Sequence, residues 1–232
     1  TADQVTNLTT AQAASLTATQ LAAFSTSQLR ALETADFQQI TGEQLQAITT
    51  TGIKALTADQ VGALTTAQAS QLTTAQVNAL SATQLQAIST AALSKLTDSQ
   101  IQAITTAGVK GLLADQVSNL TTAQLAALTT AQTAALSAAQ VESLTTAQVS
   151  GLTEAQVTAM TSTQIKAIET ADFAKLSAAQ LQAITTANVA KLTADQLASL
   201  TTAQVSKLTE AQVGALTEIG RASCRERVSS PV

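Results

Sequence analysis

The chain predicts an all-α fold: a solenoid, or superhelix, of about 27 very short helices, one for every eight residues. Three observations predict it. The sequence falls into 27 octads in unbroken register from residue 1 to residue 216, as in Thr121-Thr122-Ala123-Gln124-Leu125-Ala126-Ala127-Leu128. Nearly every octad opens on the signature of a helix N-terminus. Charges are sorted along the octad, acids early and bases late. Self-similarity at a fixed short period marks a repeat architecture and overrides the length-based expectation of one or two globular domains.

Counting octads from Thr1 and positions from 1 to 8, position 8 is a large apolar residue in all 27 copies, including Phe24 and Met160. Position 5 is Val, Leu, Ile or Phe in 24 copies, the exceptions being Ala13, Ala69 and Thr133. Position 1 is Thr or Ser in 24 copies and position 4 is Gln in 21. A Thr or Ser hydroxyl at 1 accepts from the amide three residues on, and the Gln at 4 returns to the amide of the cap; this is a capping box. Both halves occur together in 20 octads. With position 1 as N-cap, position 8 before it and position 5 after it become the partners of a hydrophobic staple. The two positions that demand large apolar residues are therefore the two that the cap requires.

The charges test this independently. Of 13 acidic residues in the octads, 12 lie at positions 1 to 4 and only Glu142 lies later. All eight basic residues (Arg30, Lys54, Lys95, Lys110, Lys166, Lys175, Lys191 and Lys207) lie at positions 6 or 7. Acid at the start and base at the end complements a helix dipole, and a strand has no comparable polarity. Each octad thus reads as a helix over positions 2 to 7.

Three other readings compete, of which disorder would account for the low complexity but not for a perfect apolar register. One continuous helix fails because eight residues at about 100° each overshoot two turns by roughly 80°, so the apolar stripe would wind round the surface. A β-solenoid is the alternative fold class, since positions 3, 5 and 7 alternate and Thr and Val favour strands. Against it stand the caps, the charge polarity, the Ala, Leu and Gln content, and the scarcity of Gly and Asn for tight corners. A helix of six residues does not persist alone in water, so the octads must stack. Small residues at 3 and 7 are expected to let the coils approach. Handedness and octads per turn do not follow from the sequence.

A longer pattern overlies the octad. Residues 25–64, 81–120 and 161–200 share one plan, within which position 4 alternates between Gln and another residue: Gln28, Gln44 and Gln60 bracket Asp36 and Gly52. Whole-octad duplication and loss would produce this spacing.

Residues 217–232 leave the pattern and are expected to form a disordered, non-repeat tail. Within it, residues 218–228 resemble a translated sequencing-adapter read-through, so the tail, with Cys224, is set apart from functional argument. The chain begins at an octad boundary without an initiator Met, from which we expect a segment of a longer array.

Composition narrows function. There is no His, Trp or Tyr, the formal net charge is −4, and charged residues are sparse. That provides no footprint for nucleic acid and no apolar run long enough to span a bilayer. Without His or an intrachain Cys pair, the usual nucleophile–base pairs and most transition-metal sites lack their residues. We expect no catalysis, no cofactor, no metal and no assigned site residue. Asp3, Asp59, Asp115 and Asp195 invite a calcium reading, but no Asp-rich loop accompanies them and first-turn charge explains them. Regular Thr invites an ice-binding surface, but position 1 is committed to capping and position 2 is Thr in only 14 octads.

Runs such as Leu144-Thr145-Thr146-Ala147-Gln148-Val149 resemble the Thr-Thr-Ala-Gln octapeptide arrays of very large bacterial proteins described as adhesin-like or haem-utilisation-like. The resemblance covers residues 1–216 and implies a secreted or cell-surface location; no haem-ligand pattern accompanies it. The leading expectation is a non-catalytic spacer, stalk or scaffold of a longer bacterial surface or secreted protein, with no partner assigned and its flanking domains or a protein or glycan surface as the candidates. An interaction solenoid binding a peptide, a glycan or itself is the alternative, and a Thr-rich ice-binding surface the third.

Overall fold

In the computed structural model, described for residues 1–216, octads 1 to 26 each hold one α-helix, from Ala2–Thr6 in the first to Thr202–Val205 in the twenty-sixth. A further helical segment opens at Glu210. The described residues contain no strand, so the β-solenoid alternative falls. The tail, with its read-through-like stretch, lies outside the described residues.

Each helix is four to six residues long, and the backbone shows why it stops. In octad 8 the amide of Val61 donates to the carbonyl of Thr57 at 3.1 Å, and the amide of Leu64 then closes on Val61 at 3.2 Å. The tighter closure ends the helix on a three-residue turn. The chain then turns through two extended residues, as at Leu80 (φ −64°, ψ 134°) and Ser81 (φ −75°, ψ 162°). No described residue has positive φ. These corners need no left-handed residue, which accounts for octad boundaries without Gly or Asn.

All 20 capping boxes written in the sequence form, 19 of them in octads 1 to 26 and the last at Thr209 and Gln212. Thr49, Ser89, Thr105 and Thr185 cap without a returning Gln. Glu33 and Glu169 make no side-chain cap bond. Leu113 has no acceptor to offer; its amide donates to Gln116 Oε1 at 2.9 Å while its side chain is 50% exposed. Leu113→Thr should therefore complete the box and remove an exposed leucine. The expected gain is about 1 kcal/mol, read as a higher denaturation midpoint.

The chain divides into two compact units, Thr1–Leu128 and the residues from Thr129 onward. Within the first, helices three octads apart pack side by side, as octad 3 does on 6, 8 on 11, and 11 on 14. Within the second, octad 17 packs on 20 and 20 on 23. Side-chain bonds within each unit join residues 25 to 31 apart in sequence, so a turn of the coil takes between three and four octads. Positions 5 and 8 fill the interior, with Phe37 and Phe173 its largest fully buried side chains. The small exceptions Ala13, Ala69 and Thr133 are buried too, and Thr133 Oγ1 donates to the Thr129 carbonyl at 3.0 Å.

Close approach occurs at positions 2 and 7 rather than 3 and 7. Position 3 is exposed in every octad. A Cβ on Gly111, at position 7, would come within 2.6 Å of the Ala82 Cβ, at position 2 three octads earlier; one on Gly42 would meet Gln71 at 2.8 Å.

The same kind of close approach explains the glycines at position 4. Five of the six octads that lack Gln there follow an Ile at position 8: Ile48, Ile88, Ile104, Ile168 and Ile184. A Cβ on Gly52 would lie 2.8 Å from Ile48 Cγ2 and 2.6 Å from Leu29 Cδ1, and Gly108 meets Ile104 and Leu85 the same way. At Gly52 and Gly108 the branched methyl of Ile and the leucine of the turn before leave no room for a side chain. Ala92 is accommodated in octad 12, which packs on octad 9, where Ala69 replaces that leucine. Gly52→Ala should lower stability by about 1–3 kcal/mol through overpacking, despite alanine's higher helix propensity, and urea denaturation measures it.

Candidate functional site: the glutamine seam

The position-4 glutamine is the residue whose chemistry the fold uses most fully. Gln60 shows the arrangement. Its Oε1 accepts from the amide of Thr57 at 2.9 Å, and its own amide donates to Thr57 Oγ1 at 3.1 Å. Its Nε2 reaches the turn before, donating to the carbonyls of Leu29 and Leu32 at 2.7 and 2.8 Å. Those carbonyls belong to positions 5 and 8 of octad 4, at the C-terminus of its helix, where carbonyls lack intrahelical partners. One side chain thus caps the start of its own helix and the end of the helix four octads earlier.

The pattern recurs along the first unit. Gln68 bonds Phe37 and Ile40, Gln76 bonds Leu45 and Ile48, and Gln84 bonds Ile53 and Leu56, all at 2.7–2.9 Å. In the second unit Gln164 bonds Thr133 and Leu136, Gln196 bonds Ile165 and Ile168, and Gln212 bonds Leu181 and Ile184, at 2.7–3.0 Å. All these glutamines are buried. A buried amide is costly unless both of its ends are satisfied, and here both are. Asn188, one methylene shorter, reaches only the Met160 carbonyl, at 2.7 Å.

A second, outer seam uses position 6. Gln46, Asn78, Gln86 and Gln182 donate to the position-7 carbonyls of Gln71, Ala103, Gly111 and Lys207, each 25 residues ahead, at 2.6–2.9 Å. Thr158 does the same to Ala183 at 3.0 Å.

Sequence reading placed the glutamine in its cap and missed its reach across turns. The signal was present: Gln stands at position 4 in 21 octads and Glu in none, although either completes a capping box. Only Gln carries a donor as well as the acceptor.

The acids divide into two groups. Asp3, Asp59, Asp115 and Asp195 lie in first turns and face solvent. Asp36 and Asp172, at position 4, are buried instead, and Asp172 Oδ1 accepts from Thr146 Oγ1 at 2.5 Å. The described residues contain no group of three or more metal-ligating side chains. A hollow of about 390 Å³ in the second unit gathers Glu142, Lys166, Glu169 and Asp195, all of them exposed. Position-1 threonines are occupied as caps, as Thr65 Oγ1 is by the Gln68 amide at 3.2 Å. No described helix is long and apolar enough to cross a membrane.

Residues 29–66, 39–74 and 165–202 match the model of the ALTTAQ repeat, to which the chain is similar over those stretches. The six letters are written out at Ala127-Leu128-Thr129-Thr130-Ala131-Gln132, spanning the corner, the cap and its returning glutamine. A comparison with curated proteins found no match.

Proposed function

We propose that this repeat array is a spacer or scaffold within a longer bacterial surface or secreted protein, holding other domains at a set separation. One observation carries the reading: the recurrent polar side chains at positions 1 and 4 are spent within the array. The hydroxyl at 1 caps, the amide at 4 joins turns, and 5 and 8 fill the interior. Adding an octad repeats those contacts and introduces no new chemistry, which is what a length-setting element requires. The similarity to the ALTTAQ repeat supports an array that grows by whole copies.

The test is to place the chain between two fluorescent domains and to substitute the exposed threonines Thr66, Thr122 and Thr130 by alanine together. A spacer keeps the energy-transfer efficiency of the unsubstituted chain, and glycan and peptide arrays show no ligand that the substitutions abolish. Saturable binding of one glycan or peptide, lost on those substitutions, would replace the spacer reading with an interaction solenoid.

A further inference from the structure

One corner of the first unit carries an apolar side chain where the octad otherwise places a polar one. Octad 15 opens on Leu113, the one octad to open on an apolar residue, and Leu113 is 50% exposed. Among the described residues of the first unit no other large apolar side chain reaches that exposure. Its presence is a loss to the single chain, since it forgoes the cap hydroxyl and sets apolar surface in water. Lys110 precedes it and Asp115 follows it, both exposed, so a base and an acid flank the leucine. The same plan stands lower on the coil. Lys54, Thr57 and Asp59 hold the same octad positions seven octads earlier, and Lys54 and Asp59 are exposed. Seam bonds run 28 residues back, from Gln84 to Leu56 and from Gln116 to Ile88, so twice 28, or 56, residues make two turns. The two trios are 56 residues apart and therefore lie in one column. Residues 81–88, in the turn between them, carry no charge.

From this geometry we infer that two copies of the chain pair side by side along this column, parallel and in register, with their Leu113 side chains against each other on the two-fold axis. The order of the charges decides the orientation. The chain runs round the coil, so both lysines lie on one side of the column and both aspartates on the other. A second copy turned end over end brings lysine to lysine and aspartate to aspartate. A parallel copy, related by a two-fold axis along the coil, brings Lys54 to the partner's Asp59 and Lys110 to the partner's Asp115, each contact being made twice. Exposed ion pairs add little strength, but like charges penalise the other orientation. Burial of Leu113 supplies the attraction. Such a contact is isologous and closes at the dimer. It lies within the first unit and stands whether or not the array serves as a spacer.

Sedimentation equilibrium of the full chain from micromolar to millimolar concentration tests it. The weight-average mass is expected to rise with concentration and to level at the dimer. Leu113→Thr supplies the missing cap, so the fold is kept, and should weaken association by about tenfold or more. Lys54→Asp with Lys110→Asp, and Asp59→Lys with Asp115→Lys, give two variants whose columns each carry one sign. Each alone should remain a monomer and an equimolar mixture should form dimers, while circular dichroism checks that helix content is kept. Ala58→Cys and Ala114→Cys, each made together with Cys224→Ser, put a thiol at one or the other level of the column. A short bis-maleimide should join two copies through either thiol. A chain that stays monomeric at every concentration overturns the inference. So does association that Leu113→Thr leaves unchanged, which would place the contact on another face. Cross-linking at only one of the two levels overturns the parallel register.

Discussion

Gln84→Glu is expected to destabilise the middle of the first unit by about 3–5 kcal/mol at neutral pH, the usual loss when a buried polar pair is left with an uncompensated charge. The substitution preserves the acceptor oxygen that Ser81 needs, so the capping box survives. It removes the Nε2 that bonds Ile53 and Leu56 at 2.8 and 2.9 Å, and aims a carboxylate at two carbonyl oxygens. Gln84 is only 4% exposed, so water cannot take over. Burial beside carbonyls raises a carboxyl pKa above its unfolded value near 4.3. The native variant then holds its proton more tightly than the unfolded one, so its stability falls as pH rises through that window and recovers in acid. Gln12→Glu is the control, since Gln12 is exposed and makes its cap without a seam bond. Urea midpoints of both variants at pH 4 and pH 7 decide it. Equal effects at the two positions would mean that the seam contributes nothing beyond the cap.

The contrast between those glutamines also marks what was legible in the sequence. Local rules were written in the octad: Thr57, Gln60, Val61 and Leu64 are cap, box partner and staple, and the structure uses each of them so. Local rules do not state how far apart in sequence two stacked turns lie. That distance depends on the angle at the corner, which extended residues such as Leu80 and Ser81 set by backbone dihedrals that many sequences can adopt. Hence the bond from Gln60 to Leu29, 31 residues away, was not readable, although the exclusion of Glu from position 4 was its trace. The alternation in the longer blocks was visible as a pattern and unreadable as a cause. Gly52 is small because Ile48 and Leu29 fill its space, and Leu29 belongs to the turn before. Asp36 and Asp172 show the limit from another side. Both fit the dipole rule as first-turn acids, yet both are buried at a position whose environment is decided by the neighbouring turn.

Deleting residues 73–80 should be tolerated, whereas deleting residues 73–76 should divide the first unit into two weakly coupled parts. Removing octad 10 whole brings the octads of the next turn against neighbours one place earlier in the array, and these offer the same carbonyls and apolar positions at the same phase. The loss is confined to mismatches of the longer pattern, such as a glycine at position 4 meeting a different position 5. Removing four residues leaves every later octad intact but puts the next turn, whose partners precede the cut, half a repeat out of phase with the turn before. Gln84 and Gln100, whose acceptors lie before the cut, would each face the wrong backbone atoms, and the staple residues of the facing turn would lie where exposed positions belong. About a full turn of seam bonds is lost at once, because three to four octads separate stacked partners. A net loss of roughly 1 kcal/mol for each neutral bond, together with misplaced apolar surface, exceeds the effect of any single neutral substitution in the seam. Hydrogen exchange reads the outcome: the whole-octad deletion keeps one protected block through residues 58–128, and the half-octad deletion exposes the amides flanking the cut. Equal protection in the two deletions would show that the helices, and not the phase between turns, hold the unit together.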